Sequence, residues 1–441
     1  MLASNRWFGA CGVGRLTFGA RVGDTQGVSE DYLERLARGN GVLLQVSFHN
    51  QAKNRRITWL VLIAVLALPA VAPVRVAAAT IRVERDGSGD YAAIQPALDA
   101  AASGDTILIG PGEYTEYSMV RLDGYAWDVA VFAYSELPRL TLMGVGAEQT
   151  LIGPPVPMLD YSTFSAKCLV WISGSELNLR GVTLRNCYEG LHANSGRLDL
   201  EECRISGHAI GVVWTAGGAD GRLRSITFTS AETRPDALLI YGPTGSVSLT
   251  GIASTGGGRI YFDGAQGVLL DDCDLAGDVT SLSCVSGSDV TIRNSYLHSL
   301  ANQQIDVRDA SCTVLSCVLE GGDAGIVAAA YSLLTVTGSV VTGAVAAIAC
   351  TGAERVTVHN SHVLRGGQWA IWASGPVPGG QRTYDLSGNY WGTATGAEIA
   401  AWIWDSRDNS ANQGTVIYEP FSTQEVATEP TSWGDLKALW R

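Results

Sequence analysis

Short runs in which apolar residues flank a polar or small one recur along most of the chain. They read Leu177-Asn178-Leu179, Leu198-Asp199-Leu200, Val247-Ser248-Leu249, Val268-Leu269-Leu270, Val290-Thr291-Ile292, Cys312-Thr313-Val314, Leu334-Thr335-Val336 and Val356-Thr357-Val358, with a weaker copy from Leu223 and a last one at Tyr384. The copies are 21 to 25 residues apart until the last, which follows after 28. Period-two alternation makes each run a strand whose first and third residues face one way and whose middle residue faces the other. A second short strand follows about fourteen residues into each repeat, as in Leu191-His192-Ala193, Val212-Val213-Trp214 and Ile326-Val327-Ala328. A fixed period of this length is the mark of a solenoid in which each repeat forms one three-sided coil. Leucine-rich repeats have similar lengths, but their Asn and Leu spacing is absent.

The repeat predicts which residues stack. Five residues into each coil the column reads Val182, Cys203, Phe228, Ile252, Cys273, Ser295, Cys317, Ser339, Ser361, Asn389, and is expected inside a bend. The middle of the second strand gives an outward column: His192, Val213, Leu239, Tyr261, Ser283, Asp306, Val327, Ala349, Trp372. Solenoid ends need caps. At the front, Ile81-Arg82-Val83 leads through a Gly-rich turn, Asp86 to Asp90, into a helix with Ile94, Ala97, Leu98 and Ala101 on one face, and Asp105 to Ile109 begins the first coil. At the back, Asn389-Tyr390-Trp391-Gly392 is followed by an expected helix, Ala397 to Trp404, and a strand ending at Tyr418 to Phe421.

The stretch from Asp86-Gly87-Ser88-Gly89-Asp90-Tyr91 through Gly104-Asp105-Thr106 to Gly112-Glu113-Tyr114 resembles the opening of bacterial pectin-lyase-like proteins. Leu140-Thr141-Leu142-Met143-Gly144 and Thr150-Leu151-Ile152-Gly153 resemble it too, and Asn389-Tyr390-Trp391-Gly392 is similar to their closing signature. The resemblance covers residues 80–421. It implies an all-β, right-handed parallel β-helix with an N-terminal helical cap and a C-terminal cap, and it identifies a superfamily, not an activity.

Composition adds a compartment. Lys53, Arg55 and Arg56 precede an apolar run from Ile57 to Val74, and Ala77-Ala78-Ala79 follows as a small-residue cleavage site. These are the three regions of a secretory signal. The expected organisation is therefore a leader at 1–52 ahead of the true start and a signal peptide at 53–79. The β-helix with its first cap follows at 80–393, and the C-terminal cap and tail at 394–441. The product is expected to be secreted, extracellular or in the cell envelope, with no membrane span after cleavage. The chain holds 43 acidic against 30 basic residues, and the acid excess lies after residue 79. Such a surface repels nucleic acid, which is not expected as a partner.

Candidate chemistry is sparse. Asp271, Asp272, Asp274 and Asp278 are close enough in sequence to suggest a Ca²⁺ site, the one cofactor expected of a calcium-dependent lyase, with Arg293 one coil away as the base. Read as hydrolase carboxylates, Asp271 and Asp272 follow Gly207-His208, the reverse of the polygalacturonase order, and no Arg-x-Lys is present. A plainer reading pairs Asp271 with Arg293 across neighbouring strands. The leading expectation is a non-catalytic protein presenting a rigid face for glycan or protein binding, with a polysaccharide or cell-surface partner. The alternative is a polysaccharide lyase or glycoside hydrolase. Its ligand residues are expected in the outward column, at His192, Tyr261 and Trp372, with the aromatic stretches from Tyr114 to Tyr134 and from Pro154 to Phe164 folding over one side. Cys203, Cys273 and Cys317 share a column too widely spaced for a disulfide, whereas Cys168 and Cys187 fall near each other on adjacent coils.

Overall fold

The computed structural model describes residues 78–122, 127–159, 166–172, 174–230, 236–278, 280–299, 301–375, 380–412 and 414–425. The expected leader, the expected signal segment up to residue 77, Tyr125, Tyr161, Phe164 and the tail from Val426 lie outside them. Within them, the alternating runs stack as three parallel sheets of a solenoid. Sheet A has 14 strands, from Thr80–Val83 to Gly414–Ile417; sheet B has 11, from Gly112–Tyr114 to His362–Val363; sheet C has 13, from Ser118–Val120 to Ile403–Trp404. Most coils contribute one strand to each sheet, so each interior strand pairs with the strand one coil earlier and the strand one coil later. Among the described residues, the one antiparallel pair of strands is Ser118–Val120 with Val129–Ser135 at the edge of sheet C, and an isolated antiparallel bridge links Ala329 to Gly352.

The alternating runs form sheet A. Leu177 and Leu179, Leu198 and Leu200, Val290 and Ile292, Val356 and Val358 all point into one continuous core, while Thr291, Thr313, Thr335 and Thr357 stand in register outside. Burial of these aliphatic side chains at about 25 cal/mol per Å² supplies the main stabilisation.

The bend between sheets A and B is held by a repeated hydrogen bond. The backbone N–H of Cys273 donates to Ser295 Oγ (3.1 Å), that of Cys317 to Ser339 Oγ (3.1 Å), that of Ser339 to Ser361 Oγ (3.2 Å) and that of Ser361 to Asn389 Oδ1 (2.9 Å). The residue just before each bend residue turns the chain in the left-handed region, including Glu202, Ser225, Asp272, Asn294, Ser316 and Asn360. Such positions favour Gly, Asn, Asp and Ser. Ile226, not Phe228, occupies the bend in its coil. The strand there starts at Gly221, in register with Leu198, two residues ahead of Leu223. A side chain at Gly221 would run into the Trp214 ring, 2.4 Å from its added Cβ. Phe228 instead stacks beside Ile205 in sheet B.

The caps follow the same logic. The helix Ile94–Ala100 buries Ile94, Ala97 and Leu98, and Gln95 ties it to sheet C by exchanging hydrogen bonds with the backbone of Tyr134. A cavity of about 350 Å³ beside this helix is lined by Gln95, Asp99, Tyr117 and Phe132; its Gln95 amide is already spent on holding the cap. At the far end the helix covers only Gly396–Ala401. Ile403–Trp404, expected as helix, is the last strand of sheet C, because Ile371 and Trp372 offer an open parallel edge. There Asp405, fully buried, accepts from Arg407 and from the backbone N–H of Arg407 and Val416.

Candidate ligand-binding face

The outward column of sheet C runs in continuous register from His192 through Val213, Leu239, Tyr261, Ser283, Asp306, Val327 and Ala349 to Trp372, and on to Trp404. A departure from alternation widens this face. At the start of these strands two successive residues turn inward, as Cys168-Leu169, Ala237-Leu238, Ala347-Ile348 and Ala370-Ile371 do. Glu189 and His192, three residues apart, thereby stand on the same outer side.

A polar cluster results. His192 Nδ1 is 2.8 Å from Glu189 Oε2, and Lys167, one coil earlier in register with Glu189, closes an ion pair with its other oxygen. Burial works against the Glu189 charge, yet the His192 hydrogen bond and the Lys167 charge outweigh it and hold the carboxyl below its usual range. Burial lowers the Lys167 ammonium in turn, with Glu189 opposing. The other His192 ring nitrogen, Nε2, has no protein hydrogen-bond partner among the described residues.

Further along, Arg259 Nε donates to Asp236 (2.7 Å), and its guanidinium lies 4.7 Å from the centre of the Tyr261 ring, a cation–π contact. The Tyr241 ring is 6.1 Å from Tyr261 and tilted by 57°. Burial, then nearby carboxylates, raises both phenols: Asp236 acts on Tyr241 and Asp263 on Tyr261. Asp306 is clasped by Arg308 Nε at 2.9 Å to each oxygen. At the end of the face, Trp372 is 38% exposed, Trp404 succeeds it in register, and the Trp369 and Trp404 rings are 5.3 Å apart. The opposite end is covered. Leu122, Val129, Val131 and Val170 form a second apolar cluster on the outside of sheet C, so the segment after Tyr114 does fold over one end of the face.

The four aspartates do not gather. Asp271 ends a strand of sheet A and accepts from Arg293 (2.7 Å) and Asn294 (2.9 Å), the cross-strand pair that the coil register predicts. Asp272 is the left-handed turn residue. Asp274 opens a strand of sheet B and faces His298 at 3.4 Å. The bend thus separates Asp271 from Asp274 and Asp278, and no group of three or more His, Cys, Asp or Glu able to hold a metal exists among the described residues. Asp271, Asp272 and Arg293 also lie on other walls than His192, Tyr261 and Trp372.

A family model described as "Right handed beta helix region" matches residues 159–341 and again 236–378. The fold is a right-handed parallel β-helix. Among solved structures, "Pectin methylesterase from Carrot" is similar at 12% identity, over 77% of this chain and 88% of that one, with a TM-score of 0.24. No curated protein matches the sequence. Among the described residues of the β-helix, no helix is long and apolar enough to cross a membrane.

Sequence reasoning placed His192, Tyr261 and Trp372 in one column, and they stand in it. It missed Glu189, Lys167, Asp236, Arg259 and Tyr241. The signal for the first two was a charged residue opening strands whose second and third residues are both core-forming, Cys168-Leu169 and Gly190-Leu191.

Proposed function

We propose that this β-helix is an exported protein, secreted or held in the envelope, that binds a glycan on the outer face of sheet C without turning it over. The observation that carries the reading is the Tyr241, Tyr261 and Arg259 cluster beside Glu189 and His192. Flat aromatic faces suit sugar C–H surfaces, and fixed donors and acceptors suit hydroxyls. These groups are pre-set by ion pairs within the sheet, so little ordering cost is left for binding.

Glu189 and Asp236 share a column two coils apart, which brings hydrolysis into view as the other reading. Glycoside hydrolysis requires one carboxyl to be held protonated as the acid. Glu189 is pushed the opposite way, and Asp236 is ion-paired with Arg259; both features favour binding over turnover. Screening the secreted protein on a glycan array, then titrating each hit calorimetrically against Tyr261→Ala, tests the proposal. Loss of binding in the variant, with intact ligand recovered, is the expected result. Release of new reducing ends or unsaturated sugars would overturn the non-catalytic reading, and unchanged binding would overturn the face.

A further inference from the structure

Resting on that reading, we infer that the ligand is a linear, uncharged glycan that lies along the solenoid axis from Tyr261 to Trp372, with roughly one sugar over each coil. Three observations on the face converge on this. First, the outward column carries the half-buried Tyr261 and the exposed Trp372, and the register Tyr261, Ser283, Asp306, Val327, Ala349, Trp372 puts them five coils apart. At ~4.8 Å per coil they are about 24 Å apart. A hexose in an extended chain advances by nearly the rise of one coil, so a chain running across the strands keeps a constant phase with them.

Second, the positions between the aromatics are low. Ser283 and Ala349 are short side chains, 3% and 4% exposed although they point outward. Val327 lies between Asp306 and Ala349. Short side chains at Ser283 and Ala349 thus lie between the Tyr241 and Tyr261 rings at one end and the Trp372 and Trp404 rings at the other, with the Asp306–Arg308 pair midway. A ligand lying along the strands would instead meet one ring cluster and never the second.

Third, the cations of the face are already engaged. Lys167 is paired with Glu189, Arg259 with Asp236 and Arg308 with Asp306. A uronate chain would set its carboxylates against Asp306 and Asp263 with each of these cations already shared. Neutral sugars meet no such cost, and the carboxylate oxygens remain acceptors for their hydroxyls.

The test is a chain-length series of neutral linear oligosaccharides, cello-, manno- and xylo-oligosaccharides of increasing length, titrated against the intact secreted protein with oligogalacturonates alongside. Affinity for at least one neutral series is expected to climb with each added sugar until the chain bridges both ends, and then to level off. Trp372→Ala and Tyr261→Ala should each cost the long chain roughly tenfold, the loss of one stacked ring, while a disaccharide loses affinity in only one of the two variants. Circular dichroism of both variants verifies that they fold. If a disaccharide binds as tightly as the long chain, or if oligogalacturonates bind better than every neutral series, this inference fails while a glycan-binding face still stands. If no oligosaccharide of any series binds, both fail together.

Discussion

The Sγ atoms of Cys168 and Cys187 stand 2.8 Å apart inside the solenoid, both with no solvent exposure. Two thiols at this separation are within reach of a covalent bond. In an oxidising compartment we expect them to close a disulfide, two thiols giving up two protons and two electrons to a disulfide-exchange oxidant. A loop of this size is worth about 3 kcal/mol. Non-reducing peptide mapping of the protein isolated from an oxidising compartment should recover the joined peptides, with Cys203, Cys273 and Cys317 unbridged. Burial pushes those three thiols up to about 12, which leaves them inert. Recovery of Cys168 and Cys187 only as thiols from oxidised material would refute the bridge.

Glu189→Gln should destabilise the protein by about 3 kcal/mol, because it leaves the Lys167 ammonium buried without its counter-charge. The double variant Lys167→Met with Glu189→Gln should regain most of that loss. Urea unfolding of the parent, Glu189→Gln, Lys167→Met and the double variant measures the coupling. Additive losses would mean that the pair is not one unit.

Asp405 gives the fold an acid limit at its C-terminal cap. Burial opposes its charge, but Arg407 and the backbone N–H groups of Val416 and Arg407 pull its carboxyl below the ordinary 3.8. A lowered folded value means stability that is present above pH 3.8 and lost as pH falls through the folded value. Asp405→Asn should therefore melt lower at neutral pH and lose less on acidification to pH 3 than the parent. Parallel melting curves across that range would show that Asp405 is not the group responsible.

Asn389 closes the bend ladder. Its amide donates to the carbonyls of Val358 (2.6 Å) and Leu386 (2.8 Å) while its oxygen accepts from Ser361. Asn389→Ala strands these groups in the core and should cost about 3 kcal/mol, against about 1 kcal/mol for Ser339→Ala. Differential scanning calorimetry ranks the two. A larger effect at Ser339 would contradict the ladder's dependence on its closing amide.

Much of this architecture is legible because solenoid stacking copies one local rule from coil to coil. The inward pairs such as Val290 and Ile292, the Thr291 to Thr357 ladder and the column from His192 to Trp372 all follow from alternation plus period. What alternation hid was governed by space. Gly221 yields to the Trp214 ring and shifts its coil, which displaced the expectation from Ile226 to Phe228. The open edge at Trp372 draws Ile403 and Trp404 out of a helical pattern. Glu189 was hidden for a related reason: two consecutive core residues break the period at the strand start, and strict alternation would bury it. The aspartate cluster was close in sequence but divided by a bend whose turn residue is Asp272 itself.

The bend ladder also makes the molecule a ruler with removable divisions. Ser311 and Leu333 occupy equivalent places one coil apart, so excising Ser311 to Ser332 would join Ala310 to Leu333 in phase and set the Ser295 bend directly against the Ser339 bend. The shortened protein would keep both aromatic ends but bring them one step closer. Reach along the axis would thus be an inherited count, open to change by unequal exchange between neighbouring repeats without redesign of any coil.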